Sequence, residues 1–543
     1  MRKRIGWGNP DNTGEGETNG GMGQSRVSSQ QFAYPARRLA KNTAYNVLGR
    51  VLPMVAAAVA VPFLLRELGI QRFGVLTLLW LVIGYFGIFD IGVGRATTKF
   101  VAEEIASGER GKLLELIWGS VLLLLLLGVV GGGVAALLTP WLVERALNIP
   151  PELKAESRNA FLLLAASMPF VLGTSGARGV LEGQHRFGVV NAIRAPGSVF
   201  TFAGPLLVTP FTTDLSRIAA VLVCGRVVVF CVNAYFCVAS VPGQARPKMV
   251  RGDTAKHLFG FGGWLTVTNI VGALMAFGFV DRFVISSSLD MSAVSYYAVP
   301  FEAATKLLLA PAGFVAVLFP VFSGYAGSQK ERVQRLCLQA VRILLMCLSP
   351  AALVLIAFGA LGLNLWVGEE FARQSARVLQ LVVAGVLVCS FSLVFASAIQ
   401  ALGRPDLTAK RHVCELPIYV ALVWFLTKQW GIAGTAASWL IWQLADYLIL
   451  LLLLGRLLPR RSEGLWKSAK LVTVCGGGAL LCGGLLAAIP NPGIRAAGTL
   501  GGLAAFVMMF WKFGMEAQDK AKVRSILGLS AKASREPTAG KHQ

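Results

Sequence analysis

Apolar stretches long enough to cross a bilayer recur along this chain from residue 43 to residue 514, and only short charged connectors separate them. Inside hydrocarbon every backbone amide must find a partner within its own segment, so a repeated apolar run of about 20 residues predicts a membrane-spanning helix. This pattern leaves almost no room for a soluble catalytic domain. It indicates a membrane protein of the transporter or channel type.

The composition agrees with this interpretation, since 55% hydrophobic residues, 15% charged residues and a mean hydropathy of +0.63 are typical of membrane proteins. A formal net charge of +23 would suit a nucleic-acid-binding protein. However, the Lys and Arg residues lie in the connectors and form no basic stripe between exposed aromatics, which excludes nucleic acid as a partner. The cysteines lie mostly in apolar runs and the histidines form no cluster, so we expect neither a metal site nor a cofactor.

The hydropathy pattern predicts an all-α, polytopic protein with about 14 transmembrane helices. The first six cover residues 43–65, 75–95, 114–138, 160–181, 188–210 and 218–241. The next six cover residues 258–280, 293–319, 336–358, 378–402, 413–430 and 431–454. The last two cover residues 469–489 and 494–514.

The spans divide the chain into six regions. These are a disordered cytoplasmic tail (1–40), an N-terminal six-helix lobe (41–241), a cytoplasmic linker (242–257), a C-terminal six-helix lobe (258–455), two additional transmembrane helices (456–514) and a basic cytoplasmic tail (515–543). No apolar run follows the first basic residues, so we interpret the N-terminal region as a tail and not as a signal peptide. Basic residues concentrate in alternate connectors, which predicts that both termini are cytoplasmic.

A weak internal similarity at an offset of roughly 220 residues predicts that the two lobes are pseudo-symmetric. Residues 63–68 correspond to residues 283–289, and residues 181–187 correspond to residues 401–407. The second alignment places Gly183 opposite Gly403.

Ionisable residues inside the spans are candidates for function, because a charge at a helix centre costs about 2.5–3.5 kcal/mol on insertion. Arg50 in the first helix either faces a cavity or extends to the interface. Asp90 and Arg95 end the second helix among glycines that permit close packing, and Asp90 either pairs with Arg95 or a neighbour or serves the substrate. Asp281 and Arg282 form either an interfacial pair or part of a ligand site.

Glu302 and Lys306 lie near the middle of the eighth helix. Their i, i+4 spacing with Glu first favours an ion pair. Pro300 and Pro311 bracket the pair and predict a kinked segment that lines a cavity. Other charges within spans look isolated, among them Arg226, Arg342, Glu415 and Asp446.

Residues 66–78 (RELGIQRFGVLTL) and 86–103 (FGIFDIGVGRATTKFVAE) resemble the second-helix region of bacterial polysaccharide flippases. These form the Wzx-like O-antigen and polysaccharide flippase family of the multidrug/oligosaccharidyl-lipid/polysaccharide exporter superfamily. The turn at residues 181–187 and the run at residues 431–438 are similar to later landmarks of that family. The resemblance extends from residue 41 to residue 514.

This resemblance implies two six-helix lobes around a central cavity. It also implies a flippase of the bacterial inner membrane that moves undecaprenyl-pyrophosphate-linked oligosaccharide by alternating access, for O-antigen, capsule or exopolysaccharide biosynthesis. Its partners would be the lipid-linked oligosaccharide, membrane lipids, and the polysaccharide polymerase and chain-length machinery.

The resemblance also assigns roles to the candidate residues. Pyrophosphate contacts would come from basic residues, namely Arg50, Arg95 and Lys306, with Arg282 behind them. Two acidic residues, Glu302 and Asp90, would tune the cavity or couple an ion. Sugar rings would stack on aromatic residues, namely Trp264, Tyr296 and Tyr297.

Three alternatives remain open at this point. A multidrug or cation antiporter on the same scaffold would need a predominantly acidic cavity and usually has twelve helices. A lipid II flippase of the same superfamily is a closer alternative. A membrane glycan polymerase or ligase should carry a long outer loop with catalytic Arg or His, but the longest outer connector, residues 139–159, has no His. We therefore expect a transporter and not an enzyme, with no catalytic residues.

Overall fold

The computed structural model describes residues 36–240 except 91, 108 and 109, and residues 278–515 except 328 and 459–462, together with residues 275 and 520. Within these ranges the regular elements are all helical, which confirms the predicted fold class. The predicted tail up to residue 35, the linker, most of the predicted seventh helix and nearly all of the C-terminal tail lie outside the described residues.

The N-terminal half contains six helices, which we number in chain order. They are α1 (Ala36–Phe86), α2 (Val93–Ser107), α3 (Arg110–Trp141), α4 (Pro151–Gly183), α5 (Phe187–Val208) and α6 (Leu215–Ala239). A 3₁₀ turn, Gly87–Asp90, precedes α2, and a π-helical turn, Leu142–Ala146, follows α3.

The C-terminal half continues with nine helices in the described part of the chain. They are α7 (Phe279–Ser288), α8 (Met291–Thr305), α9 (Leu309–Tyr325), α10 (Lys330–Val367), α11 (Glu369–Ala401), α12 (Pro405–Leu457), α13 (Glu463–Leu471), α14 (Gly477–Ala487) and α15 (Pro492–Phe513). A 3₁₀ turn, Lys306–Leu308, joins α8 to α9, and a π-helical turn, Val472–Gly476, joins α13 to α14.

Two of these helices each contain two predicted spans joined at a glycine. Gly69 in α1 has φ 74° and Gly431 in α12 has φ 59°, conformations that glycine adopts without steric cost. The chain therefore folds back at each glycine although hydrogen bonding continues through it. Ten helical stretches of the described residues are long and apolar enough to cross a membrane. The count of 14 spans stays a prediction.

The predicted continuous second helix over residues 75–95 is wrong, because α1 ends at Phe86 and α2 begins at Val93. Asp90 causes part of this break, since its Oδ1 accepts a hydrogen bond from the backbone N–H of Gly92 at 2.8 Å. A short acidic side chain that bonds to nearby backbone competes with the helix in this way. The predicted start of the first helix at residue 43 is also wrong, because α1 begins at Ala36.

The predicted kink in the eighth helix is confirmed. Pro311 has no N–H to donate to the carbonyl of Leu307, four residues earlier. At that point the helix tightens into the 3₁₀ turn that contains Lys306. The turn divides the predicted span into α8 and α9.

The two lobes meet mainly where α1 packs against α8. Gly74 makes this approach possible, because a Cβ at that position would lie 2.1 Å from the carbonyl oxygen of Met291. Nearby, the hydroxyl of Ser295 donates to the carbonyl of Ile70 at 2.6 Å. We call this end of the bundle the Gly69 end; the predicted topology makes it the outer end. Helices α14 and α15 pack against α10, away from the junction between the lobes.

Helices α4 and α11 end in the same type of turn, as pseudo-symmetric lobes require. The N–H of Arg186 donates to the carbonyl of Leu181 at 2.9 Å, and the N–H of Arg404 donates to the carbonyl of Ile399 at 3.2 Å. Between each pair lies a left-handed residue, His185 with φ 56° or Gly403 with φ 81°. The hydrogen bonds thus align residue 185 with residue 403. The predicted match of residue 183 with residue 403 is wrong by two positions, because it relied on residue identity and not on backbone hydrogen bonding.

Candidate functional site

A cavity of about 730 Å³ lies between the two lobes. Helices α1, α4, α5 and α6 of the N-terminal half line it, together with α7, α8 and α10 of the C-terminal half and the Lys306 turn. Most of the lining is apolar. Its aromatic members are Phe73, Trp80, Tyr85, Phe202 and Trp366.

Among the described residues, four charged side chains line the cavity, and they come from both lobes. Arg226 lies on α6, Arg282 on α7, Glu302 on α8 and Lys306 on the turn that follows α8. Three cations and one carboxylate give the described part of the lining a formal charge of +2. Within an apolar wall such a charge attracts an anion, because few competing dipoles surround it.

Glu302 holds two of the cations side by side. Its Oε1 accepts a hydrogen bond from Nη2 of Arg282 at 2.7 Å, and its Oε2 accepts one from Nζ of Lys306 at 2.9 Å. The predicted Glu302–Lys306 ion pair is therefore confirmed. The Arg282 side chain is 3% exposed and those of Glu302 and Lys306 are 48% and 43% exposed, so the shared carboxylate connects a buried cation to an accessible one.

Asp281 and Arg282 do not form the interfacial pair that their adjacency suggested. Asp281 is fully buried and accepts hydrogen bonds from the hydroxyls of Tyr297, at 2.5 Å, and Tyr419. Successive residues of a helix point about 100° apart, since the helix has about 3.6 residues per turn, so the two charges face different neighbours. Asp281 thus anchors α7 to α8 and α12 while Arg282 faces the cavity.

Arg226 is the lining cation that the sequence did not single out. Its Nη2 donates to Oγ1 of Thr201 on α5 at 3.2 Å. The backbone carbonyl of the same threonine accepts a hydrogen bond from Nε1 of Trp80 at 3.1 Å. A lone Arg in an apolar span was the feature of the sequence that could have indicated this site. Its partner on α5 is distant in sequence, so spacing alone did not reveal the contact.

Asp90 and Arg95 lie outside the cavity lining. Oδ2 of Asp90 accepts a hydrogen bond from the hydroxyl of Ser175 on α4 at 2.7 Å. A Cβ on Gly94 would lie 2.6 Å from that hydroxyl oxygen, so the glycine permits this contact. Asp90 therefore pairs with a neighbour on α4, and Arg95 is exposed on α2. An ion-coupling role for Asp90 and a substrate role for Arg95 stay predictions.

Two of the three predicted aromatic residues, Tyr296 and Tyr297, are absent from the described lining of the cavity. Tyr297 is fully buried and stacks on Phe301, with ring centroids 5.4 Å apart, and Tyr296 packs on Phe371 at 5.1 Å. Trp264 lies outside the described residues, and Arg50 lies on α1 at a position whose side chain is not described.

Hydrogen bonds join the lobes at the Gly69 end of the described structure. Asn148, between α3 and α4, donates through its backbone N–H to the carbonyl of Ser286 at 2.7 Å. Its side-chain amide donates to the carbonyls of Ser287 and Leu289 at 3.0 and 2.9 Å. Nε1 of Trp366 donates to the carbonyl of Ala58 at 2.7 Å. These contacts hold the two lobes together at the Gly69 end.

Comparison with known proteins agrees with this architecture. Residues 39–326 match the model of a family described as polysaccharide biosynthesis protein. A protein of Shigella flexneri, whose name describes it as a candidate O-antigen transporter, is 31% identical over 412 residues, which cover 76% of this chain and 96% of the relative.

Two solved structures share the fold. The lipid II flippase MurJ, in an inward closed conformation, superposes with a TM-score of 0.62 at 14% identity, over 87% of this chain and 99% of MurJ. An inward-facing MATE family multidrug transporter of the MOP superfamily superposes with a TM-score of 0.63 at 15% identity, over 78% of this chain and 99% of the transporter. The two-lobed bundle, the cavity at its centre and these matches agree: this chain is a multi-pass membrane protein that belongs to the polysaccharide biosynthesis protein family and shares the fold of these two solved structures.

Proposed function

We propose that this chain is a flippase for undecaprenyl-pyrophosphate-linked oligosaccharide in the bacterial inner membrane, where it serves the biosynthesis of O-antigen, capsule or exopolysaccharide. The observation that supports this most directly is the net positive cavity at the interface of the lobes, lined by Arg226, Arg282, Lys306 and Glu302. The name of the Shigella relative supports the same substrate class.

The chemistry of the headgroup suits this cavity. A pyrophosphate loses strong hydration when it enters an apolar chamber, and cationic donors must replace the lost hydrogen bonds. Arg226 and Arg282 offer planar guanidinium donors, and Lys306 offers a compact ammonium group. Arg50 and Arg95 remain further candidates along the route of the phosphate group.

The aromatic lining suits the sugars. The rings of Trp80, Tyr85 and Trp366 provide apolar faces on which pyranose rings can pack. The Nε1–H groups of the two tryptophans donate to the backbone carbonyls of Thr201 and Ala58, which fixes the orientation of the rings. In our proposal these residues replace Tyr296 and Tyr297, which lie outside the lining. The lipid tail remains in the bilayer during transfer.

Alternating access is the mechanism that we propose for this transfer. At the Gly69 end the lobes are joined by hydrogen bonds from Asn148, Ser295 and Trp366, and a hydrogen bond of this kind contributes about 0.5–1.5 kcal/mol in folded proteins. Contacts of this size separate without unfolding either lobe. We propose that the described state loads from the opposite, cytoplasmic end, and that rocking of the lobes exposes the cavity to the outer leaflet.

Headgroup translocation in proteoliposomes tests this function. The assay uses a fluorescent lipid-pyrophosphate oligosaccharide and compares the wild type with Arg226→Gln, Arg282→Gln and Lys306→Gln. Arg373→Gln is the matched control, because Arg373 pairs with Glu370 on the exposed end of α11. We expect transport to be lost in the cavity variants and retained in the control. Transport of organic cations or of lipid II in place of this lipid would overturn the proposal.

A further inference from the structure

A second charged cluster is buried inside the C-terminal lobe, and none of its members lines the central cavity. Arg411 and Glu415 lie on α12 before the Gly431 kink, and Asp446 lies after it. The kink folds the two arms of α12 against each other and brings Asp446 to Arg411. The three residues are 8%, 8% and 5% exposed.

The charges of this cluster do not balance. The Arg411 guanidinium contacts the Asp446 carboxylate directly through Nη1, and its Nε lies 3.6 Å from Oε1 of Glu415. If both acids are ionised, two carboxylates share one guanidinium and the cluster carries a formal charge of −1. An uncompensated charge inside a lobe is unfavourable by several kcal/mol.

His412 does not supply the missing positive charge. Its Nε2 lies 2.9 Å from Nη2 of Arg411, and its Nδ1 lies 3.9 Å from Oε2 of Glu415. An imidazolium so close to a guanidinium would be repelled, whereas a neutral imidazole accepts the Arg411 hydrogen bond. The His412 side chain is 21% exposed, so it lies between the cluster and the outside of the lobe.

One carboxylate oxygen of the cluster has room for a proton. Oε2 of Glu415 accepts a hydrogen bond from Nε1 of Trp442 at 3.1 Å. Oε1 of Glu415 has no hydrogen-bond partner in the described part of the chain, since its 3.6 Å separation from Arg411 exceeds hydrogen-bonding distance. A proton on Oε1 would cancel the excess charge and leave the Arg411–Asp446 pair intact.

In the described part of the chain, the helices next to the cluster offer few other ionisable groups. Cys389 and Ser392 on α11 lie near Asp446. The charged residues of α7 are Asp281 and Arg282, and Asp281 contacts α12 farther along its length, at Tyr419. Two residues of α8 are in the same place: Tyr297 bonds to Asp281, and Glu302 bonds to Arg282. In the described ranges no group of three or more His, Cys, Asp and Glu residues is arranged to hold a metal ion.

We propose that Glu415 is a buried proton-binding site of the C-terminal lobe, with His412 as the route by which the proton enters and leaves. On loading, Oε1 gains one proton from solvent and the cluster becomes neutral. On release, the proton returns to solvent and the charge of −1 is restored. Asp446 remains ionised throughout, because it contacts Arg411 directly.

A short path connects this site to the cavity. Tyr419 lies one turn along α12 from Glu415, and its hydroxyl donates to Asp281, the neighbour of Arg282. Proton loading therefore changes the charge on the helix that holds the cavity cation in position. This link to transport depends on the proposed function, whereas the proton site itself does not.

Infrared difference spectroscopy of the purified protein tests the site without a transport assay. A buried protonated carboxyl has a carbonyl stretching band, distinct from that of a carboxylate, which shifts in D₂O. We expect this band to appear on acidification of the wild type and to be missing in Glu415→Gln, which preserves an acceptor for Trp442. It should persist in Glu302→Gln, whose carboxylate contacts two cations. A band that persists unchanged in Glu415→Gln overturns the proposal.

Asp446→Asn provides an independent check if Glu415→Gln does not fold. Without the competing carboxylate, Arg411 is free to pair with Glu415, which then holds its proton less tightly. We expect the band to titrate at lower pH, by about one pH unit or more, equivalent to a tenfold loss of proton affinity. An unchanged midpoint would contradict the assignment. Neither measurement requires the lipid substrate, so failure of the flippase assay leaves both interpretable.

Discussion

The hydroxyl of Tyr419 donates a hydrogen bond to the buried carboxylate of Asp281 and so joins α12 to α7 directly behind the cavity. Tyr297 donates to the other oxygen of the same carboxylate. The next residue along α7 is Arg282, the most buried member of the cavity's ion-paired cluster. The position of that cation therefore depends on two tyrosines that never contact the cavity.

Tyr419→Phe tests this dependence. Loss of the hydroxyl leaves one oxygen of Asp281 without its donor, which we expect to lower the free energy of unfolding by about 1–3 kcal/mol. Headgroup affinity should fall as well, because Arg282 loses its support. Thermal unfolding in detergent and titration with a soluble pyrophosphate sugar measure the two effects. Tyr235→Phe is the control, since Tyr235 is 68% exposed on α6; equal losses in both variants would argue against a specific role.

Gly74→Ala should weaken the closure at the Gly69 end. The added methyl would lie 2.1 Å from the carbonyl oxygen of Met291, so α1 and α8 must separate. We expect faster labelling of a cysteine placed at position 295 by a membrane-impermeant maleimide in cells. Gly133→Ala is the matched control, because a Cβ there meets nothing within 4 Å. Identical labelling rates in the two backgrounds would show that this contact does not hold the lobes together.

Glu302→Gln should tighten binding of an anion and slow its release. The change removes the carboxylate shared by Arg282 and Lys306, so the formal charge of the lining rises from +2 to +3. We expect the affinity for a soluble pyrophosphate sugar to rise several-fold at low salt and this gain to shrink at high salt, since screening acts on accessible charges. Isothermal titration calorimetry at two ionic strengths measures the effect. A weaker affinity at both would mean that Glu302 contacts the ligand directly.

Asp90→Asn should separate packing from substrate binding. The carboxylate accepts from Ser175 and from the N–H of Gly92, so the amide variant retains only part of this arrangement. We expect the free energy of unfolding to fall by about 1–2 kcal/mol while headgroup affinity stays unchanged. Ser175→Ala removes the same bond from the other side and should give a similar loss of stability. A selective loss of ion-dependent transport in Asp90→Asn alone would instead support ion coupling.

Local patterns predicted much of the fold. Hydropathy located most of the spans, and the proline spacing around Lys306 predicted the interruption that separates α8 from α9. The i, i+4 rule predicted the Glu302–Lys306 ion pair. In each case the residues that interact lie within a few helical turns of each other, so a short stretch of sequence contains both partners.

The remaining parts of the site depend on contacts between distant segments. Arg226 enters the lining because α6 packs beside α5, and Asp446 reaches Arg411 because α12 folds back at Gly431. Apolar periodicity carries no information about which helix faces which. Both residues looked isolated in the sequence for this reason, and the aromatic lining could not be distinguished from core residues by spacing.

The indole of Trp366 donates to the carbonyl of Ala58. This carbonyl is available because of the residue four positions farther along α1. Residue 62 is proline, which has no N–H to complete the helical hydrogen bond to residue 58. The Trp366–Ala58 hydrogen bond between the lobes therefore uses a backbone carbonyl that α1 itself leaves without a helical partner. In the transport cycle that we propose, separation of the lobes would leave the oxygen of Ala58, which lines the chamber, without its donor. A hydroxyl of the glycan would then replace the indole, so that separation of the lobes and entry of a sugar would be one exchange of hydrogen bonds.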